Sequence, residues 1–230
     1  MSGLTDDKLK KLLKKQTKDE LVEWIVQQAG VDDELRRALV DFVGPQADVK
    51  TLLSEMRRMI TRAWQRTRSS REPWKLARPI ADDLDPVLPA LEDIIDRGHA
   101  AEAEKVLRRF VEAAEKGLDD VDDSYGLIGP MAQDAVALRG KAWTQIEPRD
   151  PAQLARMVFD ELQEDRYGLR DPMISDFAEA LGRAGLLKLK ELFQDQYEAR
   201  RADPDMDEWK EREPLRHLAD VADALGDVDL

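Results

Sequence analysis

Guanidinium groups and indole rings are concentrated between residues 57 and 78 of this chain. The segment holds seven arginines and one lysine against a single acidic residue, Glu72, and two tryptophans lie among them. Guanidinium groups can form paired hydrogen bonds with phosphate oxygens, and indole rings can stack on bases. The segment is therefore a candidate binding site for a polyanion or for another partner. The candidate residues are Arg57, Arg58, Arg62, Trp64, Arg66, Arg68, Arg71, Trp74, Lys75 and Arg78.

The same segment also has a purely structural interpretation. Arg58, Arg62 and Arg66 follow one another at intervals of four residues, so they would share one face of a helix. On this interpretation the arginines form a solvated face paired with acidic neighbours, and both tryptophans belong to the core. The sequence leaves both interpretations open.

Three acidic clusters, at residues 82–85, 119–123 and 203–213, could in principle collect hard cations. The second cluster does not fit a calcium loop that starts at Asp120. Tyr125 then falls where glycine is needed, and Met131 falls where a bidentate glutamate is needed. We interpret the clusters as helix caps and solvated loops, because aspartates precede several predicted helix starts.

No metal site, cofactor or enzyme activity is predicted. His99 and His217 belong to no spaced ligand motif, and the chain contains no cysteine. The sequence has no nucleophile elbow, phosphate-binding glycine loop or dinucleotide fingerprint.

A short signature occurs twice, as Asp123-Ser-Tyr-Gly-Leu127 and Asp165-Arg-Tyr-Gly-Leu169, and the copies begin 42 residues apart. That interval is the length of one two-helix unit in a HEAT-like array. Aspartate can cap a following turn, glycine can adopt a left-handed conformation, and tyrosine can pack its ring with a solvated hydroxyl. The signature is therefore interpreted as architectural. The alternative is a groove lined by Asp123, Tyr125, Asp165 and Tyr167.

The elements that would position these residues are helices. Thr17 and Glu20 form a capping box, and residues 48–68 have the apolar spacing of a long amphipathic helix. Gly185 and Gly226 are each expected to end an apolar helix, and we expect related chains to continue beyond Gly226. The pattern predicts an all-α fold of about ten helices over a single domain, residues 1–230. Its arrangement is predicted to be an irregular α-solenoid of stacked helical hairpins, HEAT-like or TPR-like.

Charge is distributed unevenly along the chain, whose net charge is −13. Residues 1–80 carry a net charge of +5, whereas residues 81–230 carry −18. The sequence shows no apolar run long enough to span a membrane and no secretory signal. Together with the absence of cysteine, these features predict a cytoplasmic protein that does not bind membranes.

Several motifs together resemble an uncharacterised bacterial all-helical family, a domain of unknown function found alone or behind SWIM-type zinc fingers. They are the two signature copies, the segment Leu181-Gly-Arg-Ala-Gly-Leu186 and the closing segment 218–229. The resemblance implies a helical architecture and an interaction partner in DNA-related or regulatory systems. It implies no catalytic residue. This chain lacks cysteine, so the zinc-binding element of the longer relatives is absent.

The function predicted first is that of a non-enzymatic helical scaffold for protein–protein interaction. Its partner would bind between the basic N-terminal part, residues 1–80, and the acidic C-terminal part, residues 81–230. The alternative is a regulatory protein that binds the phosphate backbone of nucleic acid through residues 57–78. The sequence leaves the oligomeric state open.

Overall fold

The computed structural model describes residues 6–32, 34–35, 38–39, 48–203 and 207–226. Within these ranges the regular secondary structure is helical and there is no β-strand. The predicted all-α fold of about ten helices is confirmed. The chain divides into two compact units, residues 1–52 and residues 53–230. The prediction of a single domain stays a prediction.

The first unit contains α1 (Asp6–Leu13) and α2 (Lys18–Ala29). The predicted capping box opens α2: the Thr17 hydroxyl accepts a hydrogen bond from the Glu20 backbone N–H, and the Glu20 carboxylate accepts one from the Thr17 N–H. None of the α2 side chains is buried, and Trp24 is 57% exposed.

All but the first four residues of a long amphipathic helix belong to the second unit, and they begin its first part. The elements are α3 (Val49–Ser69), a short 3₁₀ turn (Pro73–Lys75), α4 (Ala77–Leu84), α5 (Val87–Asp96) and α6 (Ala100–Gly117). The buried stripe of α3 is Leu53, Met56, Ile60 and Ala63. The stripe follows the three- and four-residue spacing of one helix face, which leaves the arginines on the outer side.

The second part of this unit consists of α7 (Ile128–Gln145), α8 (Pro151–Gln163), α9 (Met173–Asp176), α10 (Ala178–Arg201) and α11 (Glu208–Leu225). Asp150 caps α8 by accepting hydrogen bonds from the N–H groups of Ala152 and Gln153. The helix pairs α6–α7, α8–α10 and α10–α11 pack against each other. The chain therefore forms stacked helical hairpins, as the sequence predicted.

The prediction that Gly185 ends a helix is wrong. The break lies at Gly182, whose φ of 56° and ψ of −179° interrupt α10. Glycine is favoured there because a side chain would make the positive φ costly. Gly185 is instead buried inside α10, where an added Cβ would lie 2.9 Å from Leu181 Cδ2 and 3.2 Å from the Pro151 carbonyl oxygen. The small size of Gly185 therefore permits close packing of α10. Gly226 ends α11 at a φ of 71°, as predicted.

A buried ion-pair network crosses the second unit. The Arg139 side chain of α7 is fully buried. It pairs with Glu104 of α6 at 3.1 Å and with Glu161 of α8 at 2.6 Å. A buried guanidinium is tolerated only when its donors are satisfied. Arg139 therefore requires both α6 and α8 to lie within reach of its guanidinium.

The network continues through Arg170, which follows α8 and whose side chain is 4% exposed. Arg170 pairs with Glu115 of α6 at 2.9 Å and lies 3.6 Å from Glu161 and 3.9 Å from Asp165. Two arginines thus lie among four carboxylates contributed by α6, α8 and the loop after α8. We call the six residues the buried network: Glu104, Glu115, Arg139, Glu161, Asp165 and Arg170.

Replacing Arg139 should destabilise the fold strongly. Arg139→Leu keeps an apolar stem but leaves Glu104 and Glu161 without their guanidinium, so we expect a loss of about 3–5 kcal/mol in the free energy of unfolding. Urea denaturation followed by circular dichroism measures this loss. The control is Arg108→Leu, which removes an exposed pair with Glu112 (N–O distance 3.7 Å) and should cost less than about 1 kcal/mol. Equal losses in both variants would contradict a stabilising role for the buried network.

Candidate binding surface

The outer side of α3 carries five arginines. Arg58 and Arg66 have acidic partners, Glu55 at 3.6 Å and Asp83 of α4 at 2.7 Å. The solvated-face interpretation is therefore correct for these two residues. The five arginines of α3 are Arg57, Arg58, Arg62, Arg66 and Arg68.

Four other arginines of the segment have no acidic partner among the residues that the structure describes. Arg62, Arg68, Arg71 and Arg78 are exposed, and none of them forms an ion pair within the described ranges. Lys75 differs, because it pairs with Glu72 at 2.7 Å. These four guanidinium groups could therefore bind an anionic partner without first giving up an internal one. We call Arg57, Arg58, Arg62, Arg66, Arg68, Arg71, Lys75 and Arg78 the basic surface.

Sequence reasoning missed one member of this region. Arg109 of α6 donates a hydrogen bond to the Thr61 hydroxyl of α3, with an N–O distance of 2.9 Å. Thr61 lies one turn beyond Arg57 and Arg58 on the same helix. Arg109 is 48 residues away in the chain, so only the packing of α6 on α3 reveals its position.

The two tryptophans of the segment have different environments. The Trp64 ring packs against Gly117 so closely that a Cβ at Gly117 would lie 1.9 Å from Cζ3 of the ring. Trp74 is 51% exposed on its 3₁₀ turn. Trp64 is therefore half-buried against α6, whereas Trp74 is exposed and does not belong to the core. The Trp74 backbone carbonyl accepts a hydrogen bond from the Asp122 N–H at 3.3 Å, which joins this turn to the first signature loop.

The first signature loop begins α7. The Asp123 carboxylate accepts hydrogen bonds from the N–H groups of Leu127, Ile128 and Gly129 at 2.8 to 3.1 Å. Gly126 has a φ of 63°, a conformation that favours glycine. The capping role predicted for this aspartate is confirmed. Tyr125, between these two fixed positions, is 90% exposed.

The second signature loop repeats this arrangement before α9. The Asp165 carboxylate accepts hydrogen bonds from the N–H groups of Tyr167, Leu169 and Arg170 at 2.7 to 3.3 Å. Gly168 has a φ of 71°. In both loops the aspartate accepts from the residues four and five positions later. The two loops are separated by two helices, α7 and α8. That the 42-residue interval is a repeat of a HEAT-like array stays a prediction.

Asp119, in the segment that leads from α6 to the first signature loop, binds the second signature loop. Its carboxylate accepts a hydrogen bond from the Tyr167 hydroxyl at 2.6 Å and two from the Arg166 guanidinium at 3.2 and 3.1 Å. The Arg166 guanidinium also lies over the Tyr167 ring, 5.4 Å from its centroid. The hydrogen bond from Tyr167, followed by that from Arg166, lowers the pKa of Asp119. The same contact with Asp119 raises the pKa of Tyr167.

Three exposed aromatic residues therefore lie on three connected loops. Trp74, Tyr125 and Tyr167 are 51%, 90% and 44% exposed. The Trp74 turn is joined to the first signature loop through Asp122, and the second signature loop is joined to it through Asp119. We call Trp74, Tyr125 and Tyr167 the aromatic surface. The structure thus connects the two predicted sites, the segment 57–78 and the tyrosine signature. The carboxylates of Asp123 and Asp165 accept hydrogen bonds from the backbone of their own loops.

The histidines occupy structural positions. His99 precedes α6, and His217 is buried in α11 with its ring stacked on Phe193 at a centroid distance of 4.8 Å. Burial, and then the nearby Arg216 charge, lower the pKa of His217. In the part of the chain that the structure describes, no group of three potential ligand side chains could hold a metal ion.

A polar cavity of about 480 Å³ lies beside the buried network. The cavity is lined by side chains of both positive and negative charge. The charged lining residues are Arg108, Glu112, Arg156, Asp160, Glu161, Glu164 and Arg170. The cavity therefore has no field of a single sign that would select a cation or an anion.

Comparison with known proteins identifies the family. A model described as a family of unknown function, DUF6880, matches residues 3–230. The chain belongs to this family. The match confirms the resemblance to an uncharacterised family, and no curated protein or solved structure matches the chain. None of the described helices of this DUF6880 member combines the length and the apolar character that crossing a bilayer requires.

The contact between Asp119 and Tyr167 predicts how both groups titrate. The pKa of Asp119 is lowered in the folded chain. The contact therefore stabilises the fold fully at a pH above the ordinary carboxyl pKa. This stabilisation is lost as the pH falls through the lowered pKa. In Asp119→Asn the pKa of Tyr167 should fall toward its ordinary value. NMR titration of ¹³C-labelled tyrosine measures this pKa. Asp120→Asn is the control and should leave it unchanged. An identical Tyr167 titration in wild type and Asp119→Asn would refute the contact.

Proposed function

We propose that this protein is a cytoplasmic, non-enzymatic helical scaffold that binds another protein through the aromatic surface. The observation that carries the proposal is the exposure of Trp74, Tyr125 and Tyr167 on loops joined by Asp119 and Asp122. Tryptophan, tyrosine and arginine are enriched among the residues that dominate binding energy at protein interfaces. Arg166, stacked on Tyr167 and paired with Asp119, adds a positioned guanidinium to these rings.

The loops that carry the aromatic rings are fixed before any partner arrives. Asp123 and Asp165 each accept three backbone hydrogen bonds, and two glycines adopt the left-handed conformation. A rigid loop loses little conformational entropy on binding. A ring on such a loop therefore contributes more net binding energy than the same ring on a mobile segment. This favours binding as the role of the exposed tyrosines, while the aspartate and glycine maintain the loop.

Selection of peptides from a random phage-displayed library tests this proposal. We expect the immobilised protein to enrich peptides whose binding weakens at least tenfold in Trp74→Ala and in Tyr125→Ala, since truncation of a central aromatic residue costs roughly 2 kcal/mol or more. Leu187→Ala is the control, because it truncates an exposed apolar side chain on α10, away from the three loops. Circular dichroism should show that all three variants remain folded. Failure to enrich any peptide that depends on Trp74 or Tyr125 would overturn the proposal.

A second function is favoured by a separate observation on the basic surface. Arg62, Arg68, Arg71 and Arg78 are exposed without acidic partners in the described part of the chain. We propose nucleic-acid binding through their contacts with phosphates as the alternative function. Such contacts release condensed counterions, so binding weakens steeply as salt is added.

Fluorescence anisotropy with labelled DNA and RNA tests this alternative across a range of salt concentrations. For duplex DNA, Arg62→Gln/Arg68→Gln should weaken binding and reduce the slope of log K against log salt by about two. Arg183→Gln/Arg201→Gln makes the same change in charge on α10 and should leave the slope unchanged. Absence of binding at low salt, or equal effects of the two double variants, would exclude the basic surface as a nucleic-acid site.

A further inference from the structure

The cavity beside the buried network combines an exposed rim with a buried arginine. Its volume of about 480 Å³ lies within the range of about 300–1,000 Å³ that is typical of small-molecule sites. Arg170, with a side chain 4% exposed, is the lining residue that is buried. It is therefore the part of the interior that a molecule in this cavity would contact. We call the exposed lining residues the rim: Arg108, Glu112, Gln153, Arg156, Asp160 and Glu164.

The Arg170 guanidinium has unused hydrogen-bond donors. A guanidinium carries five N–H donors. In the described part of the chain, this group of Arg170 donates one hydrogen bond, from Nη1 to Glu115 at 2.9 Å. Its buried Nε makes no hydrogen bond there and lies 3.6 Å from Glu161 Oε2, which is too long for one. Because buried donors are normally satisfied, Arg170 favours a ligand that brings an acceptor into the cavity.

Two carboxylates of the rim are available to a positively charged group. Asp160 is in the last turn of α8, and Glu164 directly follows that helix. Neither carboxylate forms an ion pair with any residue that the structure describes. Arg156 lies one turn before Asp160 and lines the same cavity, yet the two side chains do not pair with each other. Asp160 and Glu164 can therefore bind a cationic group without giving up an internal partner.

The unused donors and the available carboxylates lie close together. Glu161, which Arg170 Nε approaches, is next to Asp160 in the chain and three positions before Glu164. Side chains three positions apart on a helix have Cβ atoms about 5–6 Å apart. Glu161 itself already accepts hydrogen bonds from Arg139 on both carboxylate oxygens, at 2.6 and 2.8 Å. One small molecule can therefore reach Arg170 and the two rim carboxylates together.

The mixed charge of the cavity restricts the class of ligand. A simple anion would satisfy Arg170 but would face the carboxylates of the rim. A simple cation would pair with those carboxylates but would leave the Arg170 donors without an acceptor. A compact zwitterion meets both requirements. In an α-amino acid one carbon carries both the carboxylate and the ammonium group, which suits the short distance between Arg170 and the rim carboxylates.

We propose that this cavity binds a free α-amino acid. The carboxylate of the ligand accepts hydrogen bonds from the Arg170 guanidinium, and its ammonium group donates hydrogen bonds to Asp160 and Glu164. Charge-assisted hydrogen bonds of this kind are roughly twice as strong as neutral ones. The inference goes beyond the proposed partner binding, because these three residues belong to neither the aromatic surface nor the basic surface.

Thermal unfolding of the full chain with each of the twenty L-amino acids in turn tests the inference. A ligand that binds only the folded state raises the melting temperature as its concentration increases. We expect at least one amino acid to do so, and isothermal titration calorimetry then gives its Kd. The N-acetyl derivative and the carboxamide of that amino acid each lack one of the two charges. Each derivative should therefore bind at least tenfold more weakly than the parent amino acid.

Variants of the rim test whether the ligand occupies this cavity. Asp160→Asn/Glu164→Gln should weaken binding at least tenfold, and circular dichroism should show that the variant remains folded, because both side chains are exposed. Asp195→Asn/Glu198→Gln removes two exposed carboxylates of α10 as a matched control and should leave the Kd unchanged.

The role of Arg170 is tested in the wild-type chain, because its replacement would disturb the buried network. In ¹H–¹⁵N NMR spectra, saturation with the amino acid should shift the signal of the Arg170 Nε–H. The signal of the Arg183 Nε–H, on α10, should stay in place.

Any of four results would overturn the inference. The first is that none of the twenty amino acids binds, and the second is that a derivative binds as tightly as its parent amino acid. The third is that Asp160→Asn/Glu164→Gln leaves the Kd unchanged. The fourth is that the Arg170 signal does not move at saturation. None of these results bears on the proposed partner surfaces, which depend on other residues.

Discussion

The neutralisation of two buried guanidinium charges by carboxylates is the constraint on which the second unit depends. Arg139 is fully buried, and Arg170 is nearly so, among four carboxylates. A charge in such a position is tolerated only if several acceptors surround it in good geometry. The acceptors come from α6, α8 and the loop after α8, so these elements must keep their positions relative to the two arginines. Apolar packing alone would allow many pairings of these helices, whereas the ionic network specifies one.

The same network determines where the candidate binding surface lies. Glu115 accepts hydrogen bonds from the Arg170 side chain and the Arg166 backbone, and Asp165 lies beside Arg170 while it caps the second signature loop. The position of this loop is therefore coupled to the interior. Asp119, at the end of α6, then joins it to the first signature loop. A series of polar contacts thus runs from the buried network to the hydroxyl of the exposed Tyr167 ring.

The sequence predicted local features well and long-range pairings poorly. The caps at Thr17, Asp123 and Asp150 were predictable because each depends on residues within a few positions. The ion pairs of Arg139 with Glu104 and Glu161, and of Arg170 with Glu115, join residues 22 to 55 positions apart, so no local pattern contains them. One signal was present: Arg139 falls on the apolar stripe of α7, where a charged residue is rarely placed unless it is paired. The opposite environments of Trp64 and Trp74 could not be predicted, because they depend on which residues of α6 and its following loop lie nearby.

The two signature loops divide their residues between two tasks. Aspartate and glycine maintain the backbone, while the residues between them face solvent in the first loop and face solvent and Asp119 in the second. Natural selection can therefore act on these two kinds of position separately. Substitution of the intervening residues would alter recognition at little cost to folding. Substitution of the aspartate or glycine would disrupt the loop, and selection would eliminate it regardless of which partner binds. A duplicated loop of this kind allows one copy to diverge toward a new ligand while the other retains the original one.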